Sequence, residues 1–248
     1  MMHNCPEMVF LWLGLAKIAS GLINIHFRKT PLEHSMSTIN AKAVIFSPVM
    51  MLPLLKIVEE LRQQRNDISF FCLGDDDLVS KFPVQNIEKA LSAFDITALT
   101  YRGSINDRLM YVFTPGTIGL PTPAIIKHSR LILAAAVSRY LAGVTTNDVL
   151  YIYLPLYHMA GGVLGISQSV AYDCRTEIVA KFSASGFWRD CIRYKCTVSQ
   201  YIGEVWRYPR SGGSVRILFG NSLRPKMWPA FVKRFGINDI IARTFALC

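Results

Sequence analysis

Short apolar runs rich in β-branched and aromatic residues alternate along this sequence with longer mixed segments, and turn residues bound most of the runs. Helices packed on a mainly parallel sheet produce that rhythm, so the expected fold class is α/β, with parallel sheets flanked by helices. Strands are expected at Ala43–Phe46, Ser69–Leu73, Met110–Thr114, Val149–Leu154, Glu177–Val179, Val198–Ile202 and Val215–Phe219. Helices are expected at Pro6–Ala19, Leu52–Gln64, Ser129–Leu141, Gly161–Tyr172, Ser183–Tyr194 and Pro225–Phe235, and Gly74–Pro83 is the most loop-like stretch. With 248 residues, 51% of them hydrophobic, the chain can bury one sizeable core or two small ones.

The formal charge of +10 favours phosphate-bearing ligands, an anionic membrane surface or nucleic acid. Nucleic acid ranks last and is not expected as a partner, because the basic residues are scattered singly from Arg28 to Arg243 rather than gathered on a helix or aromatic-laced strip. Cys5, Cys72, Cys174, Cys191, Cys196 and Cys248 form no CxxC pair and no regular spacing. That pattern indicates reduced thiols in a cytosol-facing protein, not a zinc site or disulfide framework. The run Met8–Ile25 is apolar for long enough to raise the question of a membrane span. Lys17 sits in its middle and Ser20-Gly21 interrupt it, so a buried or interfacial helix is the expectation.

The segment Tyr111–Thr122 carries the chemistry. Tyr111, Val112, Phe113 and Thr114 close an expected strand, and Pro115, Gly116, Thr117, Ile118, Gly119, Leu120, Pro121 and Thr122 follow as a loop. Such a loop can wrap a phosphate, since glycine lets backbone N–H groups converge on an anion and threonine hydroxyls add donors. A glycine-rich turn after a strand is common in any α/β protein, so composition alone does not decide the matter. Asp75-Asp76-Asp77 lacks the ligand spacing of a calcium loop and reads as a solvated turn. Ser183 and Ser185 have no His and acid partners that order alone could assign, and the four tryptophans read as core or membrane-interface residues.

The loop resembles the TSGTTGLPK phosphate loop of adenylate-forming enzymes, and Ala124–Arg130 (AIIKHSR) resembles its continuation in the fatty-acid transport protein and very-long-chain acyl-CoA synthetase family. Further matches follow in the family's order: Leu154–Gly161 (LPLYHMAG), Lys181–Trp188 (KFSASGFW), Cys196–Glu204 (CTVSQYIGE) and Gly220–Arg224 (GNSLR). Upstream, Leu11–Lys17 and Leu22–Arg28 resemble the family's LWLG and LINTNLR segments. The resemblance implies that residues 1–248 form part of an AMP-binding (adenylation) domain, which activates a long-chain or very-long-chain fatty acid through acyl-AMP to acyl-CoA. It further implies ATP, Mg²⁺ and CoA as co-substrates and cofactor. Residues 111–122 would then be nucleotide-binding, Gly220 and Asn221 would lie beside adenine, and Tyr157 and His158 would lie beside the acyl carboxylate.

Departures from the family pattern point to impaired catalysis. Pro115 stands where the family has Ser, Ile118 where it has Thr, and Thr122 where it has the loop Lys. Each lost donor at a charge-stabilising site costs about 10² to 10³ in rate, and no catalytic residue is confidently retained. After Arg234–Gly236 the family's Tyr-Gly-x-Thr-Glu, with its magnesium-binding Glu, is replaced by INDIIARTFALC, and neither end of the chain resembles a domain boundary. A fragment without the C-terminal lid is therefore expected, associated with the cytosolic face of the endoplasmic reticulum or plasma membrane. The competing expectation is an inactive paralogue that binds acyl or nucleotide groups, or pairs with an intact synthetase.

Overall fold

The computed structural model describes residues 1–55, 57, 67–74, 79–80, 82–93, 102–116, 119–202, 215–221 and 239–242. The chain divides into two compact units, Met1–His3 with Phe10–Lys127, and Asn4–Val9 with His128–Cys248. Both are α/β, in agreement with the expected class.

The first unit holds two three-stranded sheets. In one, β2 (Ala43–Phe46), β3 (Ser69–Cys72) and β4 (Gln85–Asn86) run parallel. Val44, Phe46, Phe70 and Cys72 alternate inward, the period-two pattern of a strand with one buried face. In the other sheet, β5 (Arg108–Thr114) lies between β1 (Ser20–Leu22), parallel to it, and β6 (Thr122–Lys127), antiparallel to it. Helix α2 (Lys29–Thr38) and the short α3 (Ile87–Ser92) belong to this unit; Asn86 caps α3 by accepting N–H bonds from Glu88 and Lys89.

Met8–Ile25 is not one helix. Helix α1 (Pro6–Gly14) tightens into a 3₁₀ turn over Leu15–Lys17, Ala19 takes a positive φ of 64°, and the chain then extends as β1. Among the described residues no helix is long and apolar enough to cross a membrane.

The second unit is built on a five-stranded parallel sheet in the order β11-β10-β9-β7-β8, comprising β7 (Val149–Ile152), β8 (Arg175–Ile178), β9 (Val198–Ile202), β10 (Ile217–Asn221) and β11 (Asp239–Ala242). Helices α4 (His128–Ala142), α5 (Ile166–Tyr172) and α6 (Phe187–Arg193) accompany it. Tyr151 and Tyr153 meet Phe187 edge-on at 5.2 and 5.6 Å, and the buried Tyr151 ring keeps its polar tip satisfied by donating its hydroxyl to Asp190 at 2.9 Å. The expected helix Pro225–Phe235, the acidic run Asp75–Asp77, and Trp206 and Trp228 lie outside the described residues, whereas Trp12 and Trp188 are buried in the core.

Candidate functional site

In the first unit, the glycine-rich segment is the loop of the β5–β6 hairpin, closed by the pair Thr114 and Thr122. Val112 and Phe113 are core side chains, and the Tyr111 hydroxyl accepts a bond from Arg108 Nη1 at 2.7 Å, so these residues anchor the strand. The loop turns back on itself: Gly119, at φ +83°, donates its N–H to the Gly116 carbonyl at 3.1 Å. A Cβ on Gly116 would lie 2.0 Å from the Leu120 carbonyl oxygen, so only glycine fits there.

The same turn spends donors. Thr114 Oγ1 donates to the Thr122 carbonyl at 3.3 Å, Gly119 N–H is committed to Gly116, and Pro115 and Pro121 have no N–H. At most Gly116 and Leu120 remain, among the described loop residues, to aim an N–H at an anion. Thr117 and Ile118 lie outside the described residues. Thr122 is exposed, with its hydroxyl 3.0 Å from where a Gly116 Cβ would stand, so its side chain leans over the loop.

In the second unit, strand order decides where a ligand fits. From β7 the chain passes to β8 on one side, then crosses to β9 on the other and continues outward to β10 and β11. The order therefore reverses between β7 and β9, and in open parallel sheets the crevice at the carboxyl ends of two such strands takes ligands. Tyr157 and His158 lie on the loop that leaves the carboxyl end of β7. Gly220 and Asn221 finish β10 at the same edge, opposite Tyr201 and Ile202 of β9. Gly220 also has a packing reason to be glycine, because a Cβ there would meet the Tyr201 carbonyl oxygen at 2.0 Å.

Asn4, a residue no sequence pattern singles out, clamps the Tyr157–His158 loop. Its side-chain amide donates to the Leu154 carbonyl at 2.9 Å and its Oδ1 accepts from the Leu156 N–H at 2.9 Å. Both bonds are buried. Immediately after His158, Met159–Gly165 winds as a π-helix, a form concentrated at functional sites. It packs so close to the preceding loop that a Cβ on Gly162 would lie 2.3 Å from the Leu156 carbonyl, and Gln200 of β9 donates to the Ala160 carbonyl at 2.5 Å. Asn4→Ala is expected to cost about 1 to 3 kcal/mol of unfolding free energy by orphaning two buried backbone groups. Urea denaturation checks this, and an unchanged midpoint would show that the clamp is idle.

The rings of Tyr157 and His158 stand 4.9 Å apart at 51°. Desolvation raises the pKa of buried Tyr157 and lowers that of His158, which is exposed by area but crowded enough to disfavour its cation. His158 is thus a neutral imidazole near pH 7, able to donate one N–H and accept at the other nitrogen. A native pKa below the unfolded value means the unfolded chain binds that proton first. Stability is untouched above the ordinary histidine range and falls as pH drops below it. His158→Asn is expected to flatten this limb in urea titrations between about pH 7.5 and 5.5; an identical slope would rule it out.

Comparison with known proteins bears on both units. A family model described as "AMP-binding enzyme" matches residues 1–246. The chain belongs to the AMP-binding enzymes. Among them, it is 39% identical over 248 residues to long-chain fatty acid transport protein 1 of Rattus norvegicus, covering 95% of this chain and 38% of that protein. The chain thus spans well under half the length of this relative. A benzoate CoA ligase from Burkholderia xenovorans LB400 shares the AMP-binding fold at a TM-score of 0.83 and 14% identity, covering 99% of this chain and 50% of the other. A long-chain-fatty-acid-CoA ligase from Archaeoglobus fulgidus does so at 0.80 and 13%, covering 97% and 50%.

Proposed function

We propose that this chain carries the acyl-activating site of a long-chain or very-long-chain fatty acid–CoA ligase, with turnover strongly impaired. The observation that carries the proposal is the Tyr157–His158 pair, clamped by Asn4 and backed by a π-helix, at the carboxyl edge of a parallel sheet beside its point of reversal. In the first half-reaction a fatty-acid carboxylate oxygen attacks the α-phosphorus of ATP and pyrophosphate leaves. In the second, the CoA sulfur attacks the acyl carbon and AMP leaves. Neutral His158 would donate to the carboxylate, holding it in place while leaving its other oxygen nucleophilic, and Tyr157 would wall the acyl side. By the family resemblance, residues 111–122 are assigned to nucleotide binding, and Gly220 and Asn221 to the adenine-side strand and loop.

Impairment follows from the loop. The Thr114 hydroxyl and the Gly119 N–H are turned inward, and Thr122 brings no cation to phosphate oxygens. Among the described residues no group of three His, Cys, Asp or Glu side chains could hold a metal ion. Fatty acid, ATP and Mg²⁺, with and without CoA, are expected to yield no acyl-CoA and no pyrophosphate above a buffer control. Protein-dependent turnover that disappears in His158→Ala would overturn the impairment and keep the site. The inward donors also favour a second reading, an inactive acyl- or nucleotide-binding protein that pairs with an intact synthetase; retained affinity for an acyl-adenylate without turnover would select it. A cytosol-facing membrane surface is the proposed setting, supported by the charge of +10.

A further inference from the structure

The two strands at the reversal of the second unit's sheet part at one residue. β7 pairs with β9 through Leu150–Val198 and Tyr151–Ser199 and no further, and the Ser199 hydroxyl closes that last pair by donating to the Tyr151 carbonyl at 3.1 Å. Beyond it β7 continues against β8 to Ile152–Ile178, and β9 against β10 to Ile202–Asn221. Gln200 is the next residue of β9, so it stands where the crevice of the strand reversal opens. It is 3% exposed.

The Gln200 amide is tied at one end. Nε2 donates to the Ala160 carbonyl at 2.5 Å, across the opening to the π-helix that follows His158, whereas Oε1 is buried without a hydrogen-bond partner among the described residues. Turning the amide over would set carbonyl against carbonyl, so the donor end is fixed. An apolar side chain of similar volume would avoid the orphaned oxygen, which costs stability. A glutamine that carries this cost points to what its donor end holds, and that carbonyl is two residues from His158. On the β7 side, glycines let the π-helix press on the chain before it. A Cβ on Gly161 would lie 2.5 Å from the Leu154 and Pro155 carbonyl oxygens, and one on Gly165 2.5 Å from Ile152 Cδ1. Gln200 supplies a tie from the β9 side. A π-helix is a rare form that persists where its neighbours hold it, and a shift in its first turn would swing the imidazole just before it.

We propose that Gln200 is a positioning residue of this site: by holding the Ala160 carbonyl across the point where β7 and β9 part, it fixes the π-helix and, through it, the direction of the His158 ring. Gln200 itself touches no reacting atom in this role. The inference rests on the acyl-site reading above for what His158 faces, but its first test needs no ligand.

Imidazole resonances of the full chain are recorded by NMR for wild type and for Gln200→Met, which keeps the volume and removes the donor, with His158→Asn assigning the His158 signal. That signal is expected to shift or broaden in Gln200→Met while those of His3, His26, His34 and His128 stay in place. A side chain that served stability alone would lower the melting temperature and leave the His158 signal of the folded chain where it was. A non-reactive acyl-adenylate analogue is then expected to bind Gln200→Met about threefold to tenfold more weakly than wild type, up to the loss of one well-formed hydrogen bond. Circular dichroism confirms folding. If Gln200→Met is not folded, Gln200→Asn, which keeps the amide one methylene short of Ala160, is expected to move the same signal. An unmoved His158 signal in a folded variant overturns the inference, whether or not the analogue binds. A moved signal with no analogue binding by the wild-type chain would instead defeat the acyl-site reading and leave the positioning role of Gln200 standing.

Discussion

Thr122→Lys is expected to tighten Mg-ATP binding by about tenfold to hundredfold. A charge-assisted bond to a phosphate contributes roughly 1.5 to 3 kcal/mol, and the β5–β6 hairpin supplies no cation at that position. The site can receive one: Thr122 is exposed, opens β6, and leans across Gly116, so a lysine stem would lie over the turn without entering the core. Wild-type affinity is expected to be no tighter than about millimolar, the weak end of substrate affinities. Ile118→Thr should give a smaller gain, because a neutral hydroxyl contributes less than a charge. Calorimetric titration of the three proteins decides, and a folded Thr122→Lys variant with unchanged affinity would remove the case for a damaged phosphate cradle.

The second large effect is structural. Asp148, 3% exposed, receives Arg216 Nε at 2.9 Å, Thr197 Oγ1 at 2.6 Å, and both the N–H and the hydroxyl of Thr145 at 2.7 and 3.0 Å. Thr197 Oγ1 in turn accepts the Val149 N–H at 2.9 Å, so one carboxylate pins the amino ends of β7, β9 and β10. That is the sheet edge opposite His158, which makes Asp148 a stabilising residue and not a catalytic one. Asp148→Ala is expected to cost about 3 to 4 kcal/mol, the low end for breaking a buried ion pair, because the Arg216 side chain is 43% exposed and can rehydrate.

The pH sign for Asp148 follows from the balance around it. Burial pushes the carboxyl up, but the bonds from Arg216, Thr197 and Thr145 together outweigh it and hold the pKa below the ordinary carboxylate value. Its stabilisation is therefore complete above that ordinary value and lost as pH falls through the depressed native one. Acid unfolding should show the His158 limb first and the Asp148 limb at lower pH, with Asp148→Asn removing the second. A chain unfolding at the same pH and denaturant concentration with Asp148→Ala would contradict the assignment.

Elements with unambiguous periodicity are readable from the residues: Ala43–Phe46 and Val198–Ile202 occur with the expected bounds, and the strand expected to end at Thr114 does so, whereas Thr122, expected in the loop, opens β6. Strand β6 escaped because Pro123 argues against a strand, yet β6 is an edge of its sheet, where a missing N–H disturbs no ladder. Helix α2 escaped because its Ser and Thr residues are poor helix formers; the Ser35 and Thr38 hydroxyls bond back to the Pro31 and His34 carbonyls while Leu32 and Met36 are buried. Gly161–Tyr172 was expected as one helix, but its first turns are π-helical, a distinction that local propensity does not encode. At the site, Tyr157 and His158 were legible as a pair. Asn4 was not, since its partners lie 150 and 152 residues away and only the folded chain brings them together.

The central claim is that the Tyr157–His158 edge holds an activated acyl group, and a non-reactive acyl-adenylate analogue tests it without requiring turnover. Such a molecule presents the acyl carbonyl and adenine together. Titrated into the chain, it is expected to bind measurably, and His158→Ala is expected to weaken it about tenfold, the loss of one well-formed hydrogen bond. The melting curve at pH 7 should not move, because His158 makes no side-chain cap bond to the π-helix it precedes. No binding by the wild-type chain, or equal binding by wild type and a folded His158→Ala variant, would contradict the account.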